Sequence, residues 1–222
     1  MRDFVKKTVI INRAAPGSGK TTITKNIVNC LSLKNISTSI HSTDDFFMID
    51  GKYVFDINNL NAYHKKNLFD FEESLNNVVD VVICDNINIA PWHTKPYSDK
   101  ARKYGYKIIL ITFTPRELKK HIESQKVTKE KPDAHNVPEE ELKRFILEYY
   151  IYDPLVDERN VRNSFLHKNY MWNEKKNIRQ KLPELSPYFD FDKLITIFPN
   201  EYHQVKSTIG NKIYELIMKD LV

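Results

Sequence analysis

Cysteine is scarce in this sequence, long apolar runs are missing, and no internal repeat or low-complexity tract is visible. The two cysteines, Cys30 and Cys84, sit in stretches that read as a buried helix and a buried strand. They behave as small hydrophobes, so no disulfide framework is indicated and a reducing, cytoplasmic compartment is expected. No run of about 18 apolar residues occurs, which argues against a membrane-spanning helix. The first seven residues form a short charged lead into a strand and do not resemble a signal peptide. A guanine-selecting Asn-Lys-x-Asp motif is absent, which weakens a signalling-switch reading, and His93 and His121 lack the partner spacing of a zinc site.

The 222 residues fit one domain or one domain with an appendage, and 41% apolar residues suffice for a core. An excess of 34 Lys and Arg over 29 Asp and Glu, a net charge of +5, favours an anionic partner without naming it.

Strand-like and helix-like segments alternate along the chain. Strands are expected at 8–12, 38–43, 78–84, 107–113 and 194–198, with helices at 20–33, 60–76, from 96 to about 104, from 115 to about 124, and at 138–150. Residues 13–19 and 44–53 read as loops, and 125–137 as a loop or lid, being polar with one proline, three lysines and no apolar rhythm. A long amphipathic helix is expected over 201–221. This alternation predicts an α/β fold of three layers, a parallel sheet flanked by helices, with ligands bound at the carboxyl ends of the strands. Residues 1–152 would form the core with a lid near 124–137, and residues 153–222 a C-terminal extension completing the same domain.

Between the first strand and first helix stands Ala14-Ala15-Pro16-Gly17-Ser18-Gly19-Lys20-Thr21, a phosphate-binding loop (Walker A) in all but its first glycine. Gly17 and Gly19 let backbone N–H groups turn around a phosphate, and the following helix directs its positive end at the same anion. Lys20 would bridge the β and γ phosphates and the Thr21 hydroxyl would ligate Mg²⁺. Residues Ala15 to Thr22 (Ala15, Pro16, Gly17, Ser18, Gly19, Lys20, Thr21, Thr22) are therefore the expected contacts for ATP or another nucleoside triphosphate. Ala14 would strain the loop if that position required positive φ, and would cost nothing otherwise.

Asp44 and Asp45 follow the second strand and Asp85 closes the third, so in a parallel sheet all three emerge on the rim that carries the loop. Phosphoryl transfer needs one carboxylate to take a proton from the attacking hydroxyl and another acidic group to hold the metal. Asp44 suits the first role and Asp85 the second.

With these motifs, and with Ala62-Tyr63-His64, Asn67, Cys84-Asp85-Asn86, Pro91-Trp92, Lys95-Pro96-Tyr97, Gly105-Tyr106 and Asn136-Val137-Pro138 in the same order, the chain resembles the phage-type polynucleotide kinases and related small P-loop kinase domains over about residues 8–152. The resemblance implies transfer of a γ-phosphate to a hydroxyl, in the best-known cases the 5′-hydroxyl of RNA or DNA. It makes Lys20 and Thr21 the phosphate and metal residues, Asp44 the general base and Asp85 an essential carboxylate. Two departures stand out. Phe47 occupies the position of an arginine that grips an acceptor phosphate in the phage enzymes, and the lid offers Lys126, Lys129 and Lys131 where those enzymes carry arginines. Lysine neutralises charge without the planar bidentate fork, so Arg116 or Arg144 would have to supply it.

Asp45 and His64 are further candidates for the acceptor side, His64 equally readable as a packed histidine. Lys168, Tyr170, Trp172, Lys175, Lys176 and Arg179 interleave cations and aromatics, as in a single-strand platform or a solvated loop over packed rings. The expected activity is an ATP- and Mg²⁺-dependent kinase acting on a hydroxyl. Its favoured acceptor is a polynucleotide 5′ end, single-stranded or at a duplex terminus, with a small-molecule kinase or a slow nucleotide-dependent switch as the rival readings.

Overall fold

The structure, a computed structural model, describes residues 6–128, 137–154 and 189–199 together with Glu215. Five parallel strands form the sheet: β1 (Thr8–Ala14), β2 (Thr38–His41), β5 (Val81–Cys84), β6 (Lys107–Phe113) and β7 (Lys193–Ile197), in the order β2-β5-β1-β6-β7. Thr8 lies opposite Val81 on one side and Lys107 on the other, so the strand leading to the phosphate loop is central. Such a strand is covered on both faces and must be apolar on both. Alternate residues accordingly enter two cores. Ile10 and Ala14 pack with Ile23, Ile27 and Leu31 of α1 (Lys20–Ser32), whereas Val9 and Ile11 pack with Phe71 and Leu75 of α2 (Ile57–Asn76) and Ala101 of α3 (Pro91–Lys103). Each such Val, Ile, Leu or Phe side chain contributes about 1.5–3 kcal/mol on burial, and together they hold the strand ends in fixed relation.

The elements differ from expectation at several ends. β1 continues through Arg13 and Ala14, which pair with Thr112 and Phe113, so the loop starts two residues later. Beyond β2, where a loop was expected, Thr43–Phe47 makes a 3₁₀ turn and Met48–Ile49 pairs antiparallel with Lys52–Tyr53 as a small hairpin, β3-β4. Its two central residues, Asp50 and Gly51, both take positive φ (48° and 76°), as a tight two-residue turn requires. α2 begins at Ile57 because Asp56 caps it, its carboxylate accepting from the Asn58 N–H at 2.9 Å. β5 starts at Val81 because Val78 turns at φ 57°. α3 begins at Pro91, the proline at its first position, and Pro96 lies inside it. Its end follows the expectation: Gly105 at φ 74° and the Tyr106 N–H bond to the Ala101 carbonyl, 2.9 Å, close the last turn.

α4 (Leu118–Thr128) extends into the segment expected as lid, and α5 (Glu139–Ile151) carries Glu139, Glu140 and Glu141 in its first turn. Lys129, Lys131, the rest of the expected lid up to residue 136, the aromatic and basic stretch at 168–179 and, apart from Glu215, the expected helix at 201–221 lie outside the described residues. No helix among the described residues is long and apolar enough to cross a membrane.

Candidate active site

The phosphate loop leaves the carboxyl end of β1. Ala14 has negative φ and stays in the sheet, its N–H bonded to the Ile87 carbonyl at 2.9 Å, so the missing first glycine costs nothing. Gly17 and Gly19 carry the positive φ, 80° and 78°. At Gly19 an added Cβ would meet nothing within 4 Å, so backbone conformation and not crowding requires glycine there. Gly19 caps α1 without a side-chain bond, and no acidic residue stands in the first turn. The positive end of this helix is left to an external anion. The Ser18 hydroxyl is buried in the loop with no protein partner among the described residues, a donor that an anion would satisfy. Thr22 lies exposed in the same turn.

Asp85, 2% exposed, is the hub of the floor. Its Oδ1 accepts from Asn12 Nδ2 at 2.6 Å and from Thr24 Oγ1 at 3.1 Å, and its Oδ2 accepts from Thr21 Oγ1 at 3.1 Å. Lys20 Nζ donates to the Asp85 carbonyl at 2.7 Å and lies 3.7 Å from Oδ2. Four donors therefore converge on one buried carboxylate and its backbone, which compensates its desolvation. Thr21 and Asp85 bring two hard oxygens together, a donor set that suits Mg²⁺ completed by phosphate and water oxygens. No group of three or more His, Cys, Asp or Glu side chains able to hold a metal occurs among the described residues.

The 3₁₀ turn bearing Asp44 is tied to this floor. Asn86, next to Asp85, accepts the Thr43 N–H at 2.8 Å through Oδ1 and donates to Tyr97 Oη at 2.9 Å, where Asn67 Nδ2 also donates at 2.9 Å. Thr43 Oγ1 lies 3.0 Å from His64 Nδ1, so His64 braces the turn from α2. Tyr53 of the hairpin donates its hydroxyl to Asp44 Oδ1 at 3.1 Å. Asp45, an acceptor-side candidate, follows Asp44 in the same turn. Its carboxyl is pushed above the usual range by desolvation and by the charges of Asp44 and Asp85, against the opposing pull of Lys20 and Lys25. His64 is held below the ordinary imidazole value by desolvation, with Asp44 opposing.

Arg144, the candidate arginine on α5, donates to Glu141 Oε2 at 2.7 Å and to Glu148 Oε1 at 2.8 Å, so carboxylates of its own helix hold it. Arg116 contributes its backbone N–H to His121 Nδ1 at 3.3 Å. Lys126 lies on α4.

Residues 9–174 match the family described as chromatin associated protein KTI12. The chain belongs to the KTI12 family. Human NEDD4-binding protein 2 is 31% identical over 153 residues, which are 66% of this chain and 8% of that protein. The chain thus spans less than a tenth of that relative's length. Among solved structures, Kti12 of Chaetomium thermophilum in complex with ADP-AlF3 has a TM-score of 0.59 at 11% identity, covering 96% of this chain and 99% of that one. A protein of Chloroflexus aurantiacus described provisionally as a kinase has a TM-score of 0.57 at 13% identity, covering 99% and 98%. These likenesses establish for this KTI12-family chain the three-layer α/β fold of P-loop kinases.

Four contributors to the site escaped the sequence reading. Asn12 and Thr24 bond to each other at 2.7 Å as well as to Asp85. Their only sequence signal is a polar residue at a core position of an otherwise apolar strand and helix face. His121, fully buried, reaches from α4 to the Pro16 carbonyl at 2.7 Å. Arg13, 1% exposed, donates to the Ile89 carbonyl at 2.9 Å, to Thr112 Oγ1 at 3.0 Å and to the Tyr152 carbonyl at 2.7 Å, and stacks 3.9 Å over Tyr149. Burial lowers its pKa to about 10, and the carbonyls at the end of α5 compensate the charge.

Proposed function

We propose that the chain is a phosphotransferase that binds ATP with Mg²⁺ and moves the γ-phosphate to a hydroxyl, with the 5′-hydroxyl of a polynucleotide as the favoured acceptor. One observation carries the reading. The turn bearing Asp44 donates the Thr43 N–H to Asn86, the residue beside Asp85, whose carbonyl accepts from Lys20, so a candidate base and the phosphate loop share one rim. Loop N–H groups and Lys20 would cradle the β and γ phosphates. Mg²⁺, held by Thr21 and Asp85, would neutralise charge on the transferring group. Asp44 would take the proton of the acceptor hydroxyl as its oxygen bonds to the γ-phosphorus and the bond to the ADP oxygen breaks. Tyr53 would keep the carboxylate in orientation. The fold shared with a Kti12 solved in complex with ADP-AlF3 is consistent with a nucleotide in this loop.

The family description as chromatin associated favours one second reading, a nucleotide-dependent module that acts through a partner. Incubation with γ-labelled ATP, Mg²⁺ and 5′-hydroxyl RNA or DNA separates the two. Label is expected on the oligonucleotide for the wild type and is expected to vanish in Lys20→Ala and Asp44→Asn, with Asp44→Asn retaining ATP affinity. ATP binding without any transfer supports the module.

A further inference from the structure

Beyond the base and the phosphate loop, one surface of the rim is chemically unusual. Residues 48–57 expose Met48, Ile49, Val54, Phe55 and Ile57 in sequence, at 38%, 56%, 48%, 53% and 66% of their surface. Exposed apolar side chains gathered in one short segment of a small domain point to a binding surface. It is rigidly joined to Asp44. Phe47, 2% exposed, packs its ring against Phe55 at 5.1 Å, Tyr53 at 5.9 Å and Tyr63 at 4.8 Å, and its carbonyl accepts the Val54 N–H at 2.8 Å. Tyr53 in turn holds Asp44. The outer face of Phe55 is thus the end of a short chain of rings that starts at the candidate base.

We propose that Phe55, braced by Phe47 beside Asp44, stacks the terminal base of a single-stranded 5′-hydroxyl nucleic acid and so forms the acceptor subsite. The proposal rests on the phosphoryl-transfer reading above. Three observations favour a base over an apolar protein segment as the occupant. The patch is tied to Asp44 through Phe47 and Tyr53, so an acceptor whose hydroxyl reaches Asp44 can extend along it. Cations interleave with the rings, Lys66 Nζ standing 5.0 Å over Phe46, which packs on Tyr63 at 5.5 Å, and Lys52 lying exposed in β4. The chain carries +5 overall. Aromatic faces with neighbouring cations fit bases linked by phosphates, and because every base has a π face the subsite tolerates any sequence while requiring that a base be present.

The test uses the full chain and a fluorescent single-stranded 5′-hydroxyl oligonucleotide, with a second oligonucleotide identical except for an abasic first residue. Binding by anisotropy and transfer from γ-labelled ATP are read separately for wild type, Phe55→Ala, Phe55→Trp and Phe69→Ala, the last altering an equally exposed ring on α2. Phe55→Ala should weaken binding of the base-bearing oligonucleotide and raise its KM about 5- to 150-fold, the range carried by one base–aromatic stack. The abasic oligonucleotide should bind wild type as weakly as the base-bearing one binds Phe55→Ala. Phe55→Trp should retain affinity and Phe69→Ala should change nothing. Base-dependent binding lost in Phe55→Ala but without transfer in any protein would uphold the subsite and refute the kinase reading. Transfer that ignores both the abasic residue and Phe55→Ala overturns the subsite while leaving the kinase reading intact, and gives the apolar segment to a protein partner.

Discussion

The Nε2–H of His121 donates to the carbonyl oxygen of Pro16 at 2.7 Å, joining the helix that leads toward residues 129–136 to the turn of the phosphate loop. Its other nitrogen accepts the Arg116 N–H at 3.3 Å, so both contacts require the neutral ring with the proton on Nε2. His121→Ala leaves a buried carbonyl and a partly buried N–H wanting and should lower stability by about 1–3 kcal/mol, read from the urea midpoint. His121→Gln, which can still donate, should lose less. Equal losses would show that the imidazole serves only as filling.

The same geometry fixes a pH dependence. Burial is the main force holding the His121 pKa below its usual value; the Pro16 bond opposes it and the Arg116 charge adds to it. A base whose native pKa is depressed binds fewer protons than the unfolded chain, so its stabilising contribution is lost as pH falls below about 6.5 toward the depressed native value. His41 and His64 share the sign, each mainly through desolvation. Tm should therefore fall as pH is lowered from 7.5 to 5.5, and the fall should be shallower in His121→Gln. Parallel slopes for the two proteins would refute the assignment.

Asn12 and Thr24 act on Asp85 from opposite elements, β1 and α1. Removing either donor frees a carboxylate that is almost wholly buried, and partners of a metal-ligating carboxylate typically carry 10- to 100-fold in metal affinity. Asn12→Ala or Thr24→Val should weaken Mg²⁺-dependent nucleotide binding by about that factor, while binding without Mg²⁺ changes little. Calorimetric titration with and without the ion reads both. A uniform loss in the two conditions would assign the pair to folding alone.

How much of this was legible beforehand follows from the range of the interactions. The phosphate loop is local chemistry: two glycines, Lys20 and Thr21 must be adjacent, so a single chain displays them. β6 was read to its observed bounds, 107–113, because five of its seven residues are apolar and Gly105 closes the preceding helix. α3 was begun at Pro96 although Pro91 is equally able to start a helix, and composition does not choose between two prolines. The hairpin went unread because its strands have two residues each, too few for an alternating pattern, although Asp50-Gly51 is itself a turn signal. His121 with Pro16 and Asn12 with Asp85 are 105 and 73 residues apart, and no periodicity encodes such pairs.

Asp45 offers a check on the electrostatics of the rim without any nucleotide. Desolvation, then Asp44 and Asp85, raise its carboxyl above the usual 3.8, while Lys20 and Lys25 only partly offset this. An acid with a raised native pKa stabilises fully below its unfolded value and loses that contribution as pH rises through the native one. At pH 7 the ionised group is therefore a burden on the native state, lightened by its solvent contact. Asp45→Asn should raise Tm on the order of 1–2 °C at pH 7, and the gain should shrink as pH falls into the carboxylate range. Mg²⁺ should raise the Tm of the wild type more than that of the variant, because a cation near Thr21 and Asp85 relieves the repulsion that the substitution has already removed. A variant less stable than wild type at pH 7, or an equal response of both to the ion, would mean that Asp45 is paired by the two lysines and does not face the other carboxylates.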